Sequence, residues 1–233
     1  MSTVLVSGGA STLGRAICRR FCQAGATVYA GYASSVAQAQ ALQEQLGPAL
    51  IPIHLDVQDQ TSIDSVIDRL GSLDVLVNNS GVFSVYETQD LATEEWERIF
   101  SINVTGMFNL TKAALKLLVA SGGSIVNIAS INAFHPGFGG TTAYDAAKGA
   151  VVSYTRSLAA EVAPRVRVNA VAPGLIAAPY LGSENPIRKR YEERSLLRRM
   201  VEPDEVAQVV EMLSLCTAIT AEVVTVDCGY LMG

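Results

Sequence analysis

Apolar and polar positions along this chain follow two rhythms. Short runs rich in β-branched residues occupy positions 3–7, 27–32, 50–55, 75–78, 124–129, 166–171 and 223–226. Between them lie longer stretches with helical spacing of apolar positions, at 13–24, 36–46, 62–70, 93–118, 144–162 and 203–215. The strand runs are apolar throughout instead of alternating, as in strands buried on both faces. Such strands separated by helices predict a parallel sheet covered on two sides. No Pro/Gly/Ser-rich linker, low-complexity tract or internal repeat divides the chain. The expected fold class is therefore α/β: one doubly wound domain over residues 1–233 with a seven-stranded parallel sheet.

Composition supports a sizeable core, with 49% hydrophobic and 17% charged residues among 233. A net charge of -5 argues against a nucleic-acid partner. Cys18, Cys22, Cys216 and Cys228 form no CxxC pair, and with only two histidines no metal site is expected. No apolar run is long enough to span a bilayer, so no membrane partner is expected. The chain enters its first strand at once, which leaves no room for a signal peptide and predicts a cytoplasmic protein.

The first strand–helix turn reads Ser7-Gly8-Gly9-Ala10-Ser11-Thr12-Leu13-Gly14. Glycines there allow a tight turn and let a phosphate approach backbone amides at a helix amino terminus, the start of a Rossmann-type dinucleotide site. Gly8, Ser11, Thr12, Leu13 and Gly14 are its candidate residues; Thr12 stands where a glycine is expected, and its hydroxyl is a candidate helix cap. At the end of the second strand, Tyr32-Ala33-Ser34-Ser35 carries no carboxylate to hold the ribose hydroxyls of NAD. Tyr32 and Ser34 are taken as cofactor contacts, and NADP(H) is favoured over NAD(H), with an ordinary polar turn as the alternative. Asp56 follows the third strand, where a carboxylate accepts a bond from an adenine amino group. Asn78-Asn79-Ser80-Gly81 ends the fourth strand at the same carboxyl edge, where open α/β sheets bind ligands.

Tyr144 and Lys148 are four residues apart and so share one helix face. A lysine ammonium beside a phenol favours its ionised form and brings its pKa down from about 10. A phenol so adjusted exchanges a proton with substrate near neutral pH.

Taken together, Ser7 to Gly14, Asp56-Val57, Asn78 to Gly81, Asn103, Ser130, Tyr144 with Lys148, Pro173-Gly174 and Val226-Asp227-Cys228-Gly229 resemble the short-chain dehydrogenase/reductase family over essentially the whole chain. The resemblance implies an NAD(P)-dependent interconversion of ketone and secondary alcohol by a tetrad. Tyr144 would be the general acid or base, and Lys148 would lower its pKa and hold the nicotinamide ribose. Ser130 would bind the substrate oxygen, and Asn103 a water that passes protons to Lys148. Val57, Asn79, Ser80, Gly81, Pro173, Gly174 and Ile176 would complete the cofactor site. Four departures stand out: Ser7 for a threonine, Thr12 for a glycine, Ser80 for an alanine, and Ala177-Ala178-Pro179 where the family often carries a threonine that binds the carboxamide.

Family topology would set Phe83, Phe134 and Tyr180 around the reacting carbon, beneath a lid near 179–200, which predicts a hydrophobic or cyclic small-molecule substrate. Two alternatives stay open. Arg188, Lys189, Arg190, Arg194, Arg198 and Arg199 would suit the phosphate of an acyl-carrier protein or coenzyme A, making a 3-oxoacyl thioester reductase. The chain could also be a dinucleotide-binding regulator or scaffold without chemistry. By resemblance, a homo-oligomer, dimer or tetramer, forms through the helices at 93–118 and 144–162; the second is apolar nearly all round.

Overall fold

The computed structural model describes residues 2–233; Met1, the first residue of the expected domain, lies outside them. Seven strands, β1 (Thr3–Val6), β2 (Thr27–Tyr32), β3 (Leu50–His54), β4 (Val75–Asn78), β5 (Ser124–Ile128), β6 (Arg167–Pro173) and β7 (Val223–Val226), form one sheet. Its order is β3-β2-β1-β4-β5-β6-β7, and every neighbouring pair is parallel. The expected runs are all present, with ends displaced by no more than one or two residues at most termini.

The described residues also form eight α-helices: α1 (Thr12–Gln23), α2 (Val36–Leu46), α3 (Gln60–Arg69), α4 (Thr93–Phe100), α5 (Met107–Ser121), α6 (Thr142–Val162), α7 (Pro186–Arg194) and α8 (Pro203–Leu215). Alternation along β1 explains the layering: Val4 and Val6 pack with Ile17, Leu42, Val206 and Val210, so α1, α2 and α8 share one face. Leu5 points the other way, into a core with Ile63, Leu110, Leu118 and Leu158 from α3, α5 and α6.

Local chemistry sets the helix ends. The Ser11 hydroxyl accepts from the Gly14 amide at 3.1 Å and caps α1, so Ser11 takes the capping place expected of Thr12, which is already the first helical residue. Asp59 caps α3 through the Thr61 amide, 2.9 Å away. Asn185 does the same for α7 at the Ile187 amide, with Pro186 in the first turn where its missing N–H costs nothing.

The stretch 93–118, read as one helix, is interrupted by a π-helical turn over Ser101–Gly106 that separates α4 from α5. Two residues account for it. Asn103 turns inward and donates Nδ2 to the Ile99 carbonyl at 2.9 Å and to the Val82 carbonyl at 3.0 Å. Gly106 lies so near β3's exit that an added Cβ would come within 2.6 Å of Val57. The widened turn brings Asn103 under the carboxyl edge of the sheet.

Candidate active site

Strand order reverses between β1 and β4, and the crevice opens at their carboxyl ends. The loop after β1 is tied to the loop after β4 by buried Ser7, whose hydroxyl accepts from the amides of Asn79 (3.0 Å) and Ser80 (2.9 Å). The Asn79 side chain answers by donating to the carbonyls of Ser7 (2.9 Å) and Gly8 (3.0 Å). Gly8 is left-handed (φ 61°), and a Cβ there would sit 3.1 Å from the Asn79 amide nitrogen. A Cβ on Gly14 would run into the Gly8 carbonyl, so α1 packs against its own loop only because that side chain is absent.

Two connected clefts run along this edge, sharing Asn79, Gly81 and Val82. The larger, about 330 Å³, is lined by Gly8, Ser11, Tyr32, Ser34, Asp56, Val57 and Ser80 among others. The smaller, about 190 Å³, is lined by Leu13, Phe83, Asn103, Ser130, Tyr144, Lys148, Pro173, Gly174 and Ile176 among others. The structure thus brings together nearly every residue expected from the sequence. Four line neither cleft: Thr12, Gly14, Phe134 and Tyr180. Thr12 is the first residue of α1, Gly14 packs against its own loop, Phe134 is 45% exposed, and Tyr180 is 80% exposed. Phe83 alone of the expected aromatic wall meets Tyr144, edge to face, with ring centroids 4.9 Å apart.

Around Tyr144 the groups are held by distinct elements. Ser130 lies two residues beyond β5; Asn103 comes from the π turn; Tyr144 and Lys148 lie one turn apart on α6. Lys148 is buried, and its Nζ donates to the Ile128 carbonyl at 2.8 Å. Burial lowers its pKa to about 8, because no carboxylate compensates for the lost water. Tyr144 moves the other way, up to about 12: burial dominates, a hydrogen bond with Ser130 opposes it, and the Asp145 charge adds to it. The expected lowering of the phenol by Lys148 is not seen. The ammonium lies 5.6 Å from the ring centroid and is directed at the Ile128 carbonyl, so desolvation governs the phenol. Asn103 Oδ1 is buried without a hydrogen-bond partner, and a Cβ on Gly81 would lie 2.7 Å from it. An acceptor left open beside Lys148 is suited to a water or a ligand donor.

Sequence reading did not include Val82, Ile128, Asn132 or Asp145. The first two act through backbone carbonyls, which carry no side-chain signal. Asp145 lies between Tyr144 and Lys148, and its partners on the loop 131–141 are tertiary contacts that spacing does not show.

A family model described as enoyl-(acyl carrier protein) reductase matches residues 8–231. The cyclopentanol dehydrogenase of Comamonas sp. (strain NCIMB 9872) is 37% identical over 97% of this chain and 96% of that protein. The 3-oxoacyl-acyl-carrier-protein reductase FabG of Thermotoga maritima is 33% identical, covering 98% and 97% respectively. A solved structure, a short-chain dehydrogenase/reductase from Serratia marcescens BCRC 10948, superposes with a TM-score of 0.93 at 29% identity, covering 98% of this chain and 97% of that one. The chain belongs to the short-chain dehydrogenase/reductase family. It is an oxidoreductase acting on CH–OH and C=O groups, and the family implies NAD(P) as cofactor. The residues fit such a group: side-chain-free Gly8 and Gly14, a helix amino terminus where Ser11 caps only the Gly14 amide and leaves those of Thr12 and Leu13 open, and the open Asn103 acceptor. No helix among the described residues is long and apolar enough to cross a membrane.

Proposed function

We propose that the chain interconverts a hydrophobic or cyclic ketone and its secondary alcohol, with NADP(H) favoured over NAD(H). The observation that carries this reading is the convergence of Ser130, Tyr144, Lys148 and Asn103 on one cleft continuous with the glycine loop. When bound, the nicotinamide supplies or accepts the hydride. Ser130 donates to the carbonyl oxygen and fixes its position. Tyr144 holds the proton that the oxygen takes up on reduction and receives it back on oxidation. Lys148 places a buried positive charge next to the phenol, which stabilises negative charge there as the proton leaves. Asn103, with one acceptor open towards Gly81, holds a water that returns a proton to Lys148.

NADP(H) is supported by the absence of any carboxylate among the residues that line the cleft beyond Tyr32: Ala33, Ser34 and Ser35. The apolar substrate is supported by Phe83 against Tyr144 and by Phe138, 6.3 Å from Phe83 between ring centroids. Residues 179–200, which carry α7, are assigned to a lid, although none of them lines either cleft in this structure. A 3-oxoacyl thioester is the second reading, favoured by the FabG relative. Against it, five of the six cations of this segment are engaged locally: Arg188 with Glu192, Lys189 with Glu184, Arg199 with Glu205, Arg198 with the Glu193 carbonyl, and Arg194 on the Tyr230 ring. Assembly as a homo-oligomer is supported by Trp96 and Phe108, large apolar side chains left exposed on α4 and α5.

The test follows NADPH consumption with a cyclic ketone and with an acetoacetyl thioester, for the wild type and Tyr144→Phe. Ketone turnover that falls at least about a hundredfold in the variant, with cofactor binding retained, is expected. A large thioester preference overturns the substrate reading. Equal rates in the two proteins, or no turnover of either substrate, overturn the catalytic one.

A further inference from the structure

Asp145 follows Tyr144 directly and points about 100° further round α6, away from the cleft and onto the loop 131–141. Each of its carboxylate oxygens has its own partner. Oδ1 accepts from Asn132 Nδ2 at 2.6 Å, and Oδ2 lies 2.9 Å from the Thr141 hydroxyl, whose proton it shares with the Phe138 carbonyl, also 2.9 Å away. No salt bridge reaches Asp145 among the described residues. Asn132 in turn meets Ser130: its backbone amide donates to Ser130 Oγ at 3.1 Å, and its Oδ1 faces the same hydroxyl at 3.4 Å. Gly137 closes over the Asn132 side chain so tightly that a Cβ there would come within 2.5 Å of Nδ2.

The chemistry of this chain of contacts has one consistent arrangement. An ionised carboxylate only accepts, so Asn132 must turn its NH₂ towards Asp145. That leaves the Asn132 carbonyl oxygen facing Ser130. The Ser130 oxygen is already occupied by an amide donor, so its proton is confined to the side shared by Asn132 and Tyr144. We propose that Asp145 is a positioning residue, which through Asn132 sets the direction in which the Ser130 hydroxyl donates and clamps the loop 131–141 beside the cleft. The proposal rests on the catalytic reading of Ser130 and Tyr144 given above. An asparagine at 145 would present either an acceptor or a donor, and the Asn132 amide would be free to reverse.

A second consequence is electrostatic. The charged and titratable groups on this helix and on the loop packed against it are Lys148, whose Nζ is 5.6 Å from the Tyr144 ring, His135, whose ring is turned to Pro136 and Tyr230, and Glu87, which reaches the loop at Gly139. Of these and Asp145, only the Asp145 charge adds to the upward shift of the phenol. Removing it eases ionisation of Tyr144.

The experiment compares wild type, Asp145→Asn, Asn132→Ala and the double variant in cyclic-ketone reduction. The ultraviolet titration of Tyr144 is isolated by subtracting the matching Tyr144→Phe protein. Each single variant is expected to lose about tenfold in kcat with the cofactor KM unchanged. The double variant is expected to lose no more than either single one, because both cut the same link. The Tyr144 titration moves to lower pH in Asp145→Asn and stays in place in Asn132→Ala, a split that a purely structural role would not produce. Wild-type kcat in both single variants, or losses that multiply, overturns the proposal. If Asp145→Asn does not fold, Asn132→Ala carries the kinetic test alone. If the wild type reduces no ketone, the catalytic reading has failed. The Tyr144 titration, which needs no turnover, then decides separately, and an unmoved titration in Asp145→Asn overturns the influence of Asp145.

Discussion

Lys148 is a buried cation with a carbonyl for company and no anion, which makes its energetic cost measurable. Its pKa drops from 10.5 to about 8 on folding because burial disfavours the charged form. Each pH unit of such displacement is worth about 1.4 kcal/mol. Keeping Lys148 protonated at pH 7 therefore destabilises the fold by about 3 kcal/mol. Replacing it by methionine removes that penalty and leaves the Ile128 carbonyl without its side-chain donor, a loss of roughly 1–2 kcal/mol. Lys148→Met is expected to be more stable than the wild type by about 1–2 kcal/mol at pH 7, while losing turnover.

The sign reverses with pH. Between about pH 8 and 10.5 the folded lysine has released its proton while the unfolded chain still binds one. Wild-type stability therefore rises relative to the variant through that window. Above it the penalty is gone, and Lys148→Met becomes the less stable protein by about 1–2 kcal/mol. Urea unfolding of both proteins at half-unit steps from pH 7 to 10.5, followed by circular dichroism, reads the difference directly; titrations common to both cancel. A variant less stable at pH 7, or a difference flat across the window, would refute the argument and mean that water reaches Nζ in the folded state.

Three further outcomes follow from the same geometry. Gly14→Ala sets a methyl against the Gly8 carbonyl and should cost about 1–3 kcal/mol in chemical unfolding, with cofactor affinity lowered at least about tenfold by fluorescence titration; unchanged affinity would separate the loop from the cofactor. Arg167 donates to the carbonyls of Leu213 and Ser214 in the last turn of α8 and of Cys216 and Ile219 just beyond it, so Arg167→Met should lower stability by about 2–4 kcal/mol in urea and leave cofactor affinity alone. Ala33→Asp adds a carboxylate in the turn after β2, and the ratio of NADPH to NADH kcat/KM should fall by at least about tenfold; a constant ratio would place the ribose elsewhere.

The sheet was legible because its central strands are buried on both faces and need no polar alternation. Runs such as 75–78 and 124–129 could be little else between helical stretches. The glycine loop was legible through its position, yet its cap was misassigned, because Ser11 and Thr12 are both competent and only the observed entry angle of α1 chooses Ser11. The π turn at Ser101–Gly106 left no trace in the apolar periodicity. Its causes are a buried side-chain bond from Asn103 to Val82 and the approach of Gly106 to Val57, both tertiary contacts. Tyr144 and Lys148 were found by spacing, but spacing says nothing of where an ammonium points. The Ile128 carbonyl that captures it belongs to a strand 20 residues away. Phe134 and Tyr180 were assigned to the wall by neighbourhood, and their exposure shows that a loop can carry its aromatic residues outward.

The opposed pKa shifts at the site bear on the direction in which it works. At pH 7 a phenol held near 12 is almost wholly protonated, and so is a lysine near 8. Under the proposed roles, Tyr144 is then already in the form that ketone reduction requires, with Ser130 beside it to receive the carbonyl oxygen. Alcohol oxidation must start from the phenolate, which at pH 7 lies about 7 kcal/mol uphill for a group of that pKa. Lys148 can recover part of this cost only as charge develops on the phenol, since its ammonium is otherwise committed to Ile128. Reduction should therefore exceed oxidation at neutral pH, and oxidation should climb close to tenfold per pH unit until Lys148 begins to lose its proton near pH 8, where the climb flattens. Initial rates in both directions between pH 6 and 9 decide the matter. An oxidation rate independent of pH across that range would mean that the phenol is far more acidic during turnover than its burial in this structure allows.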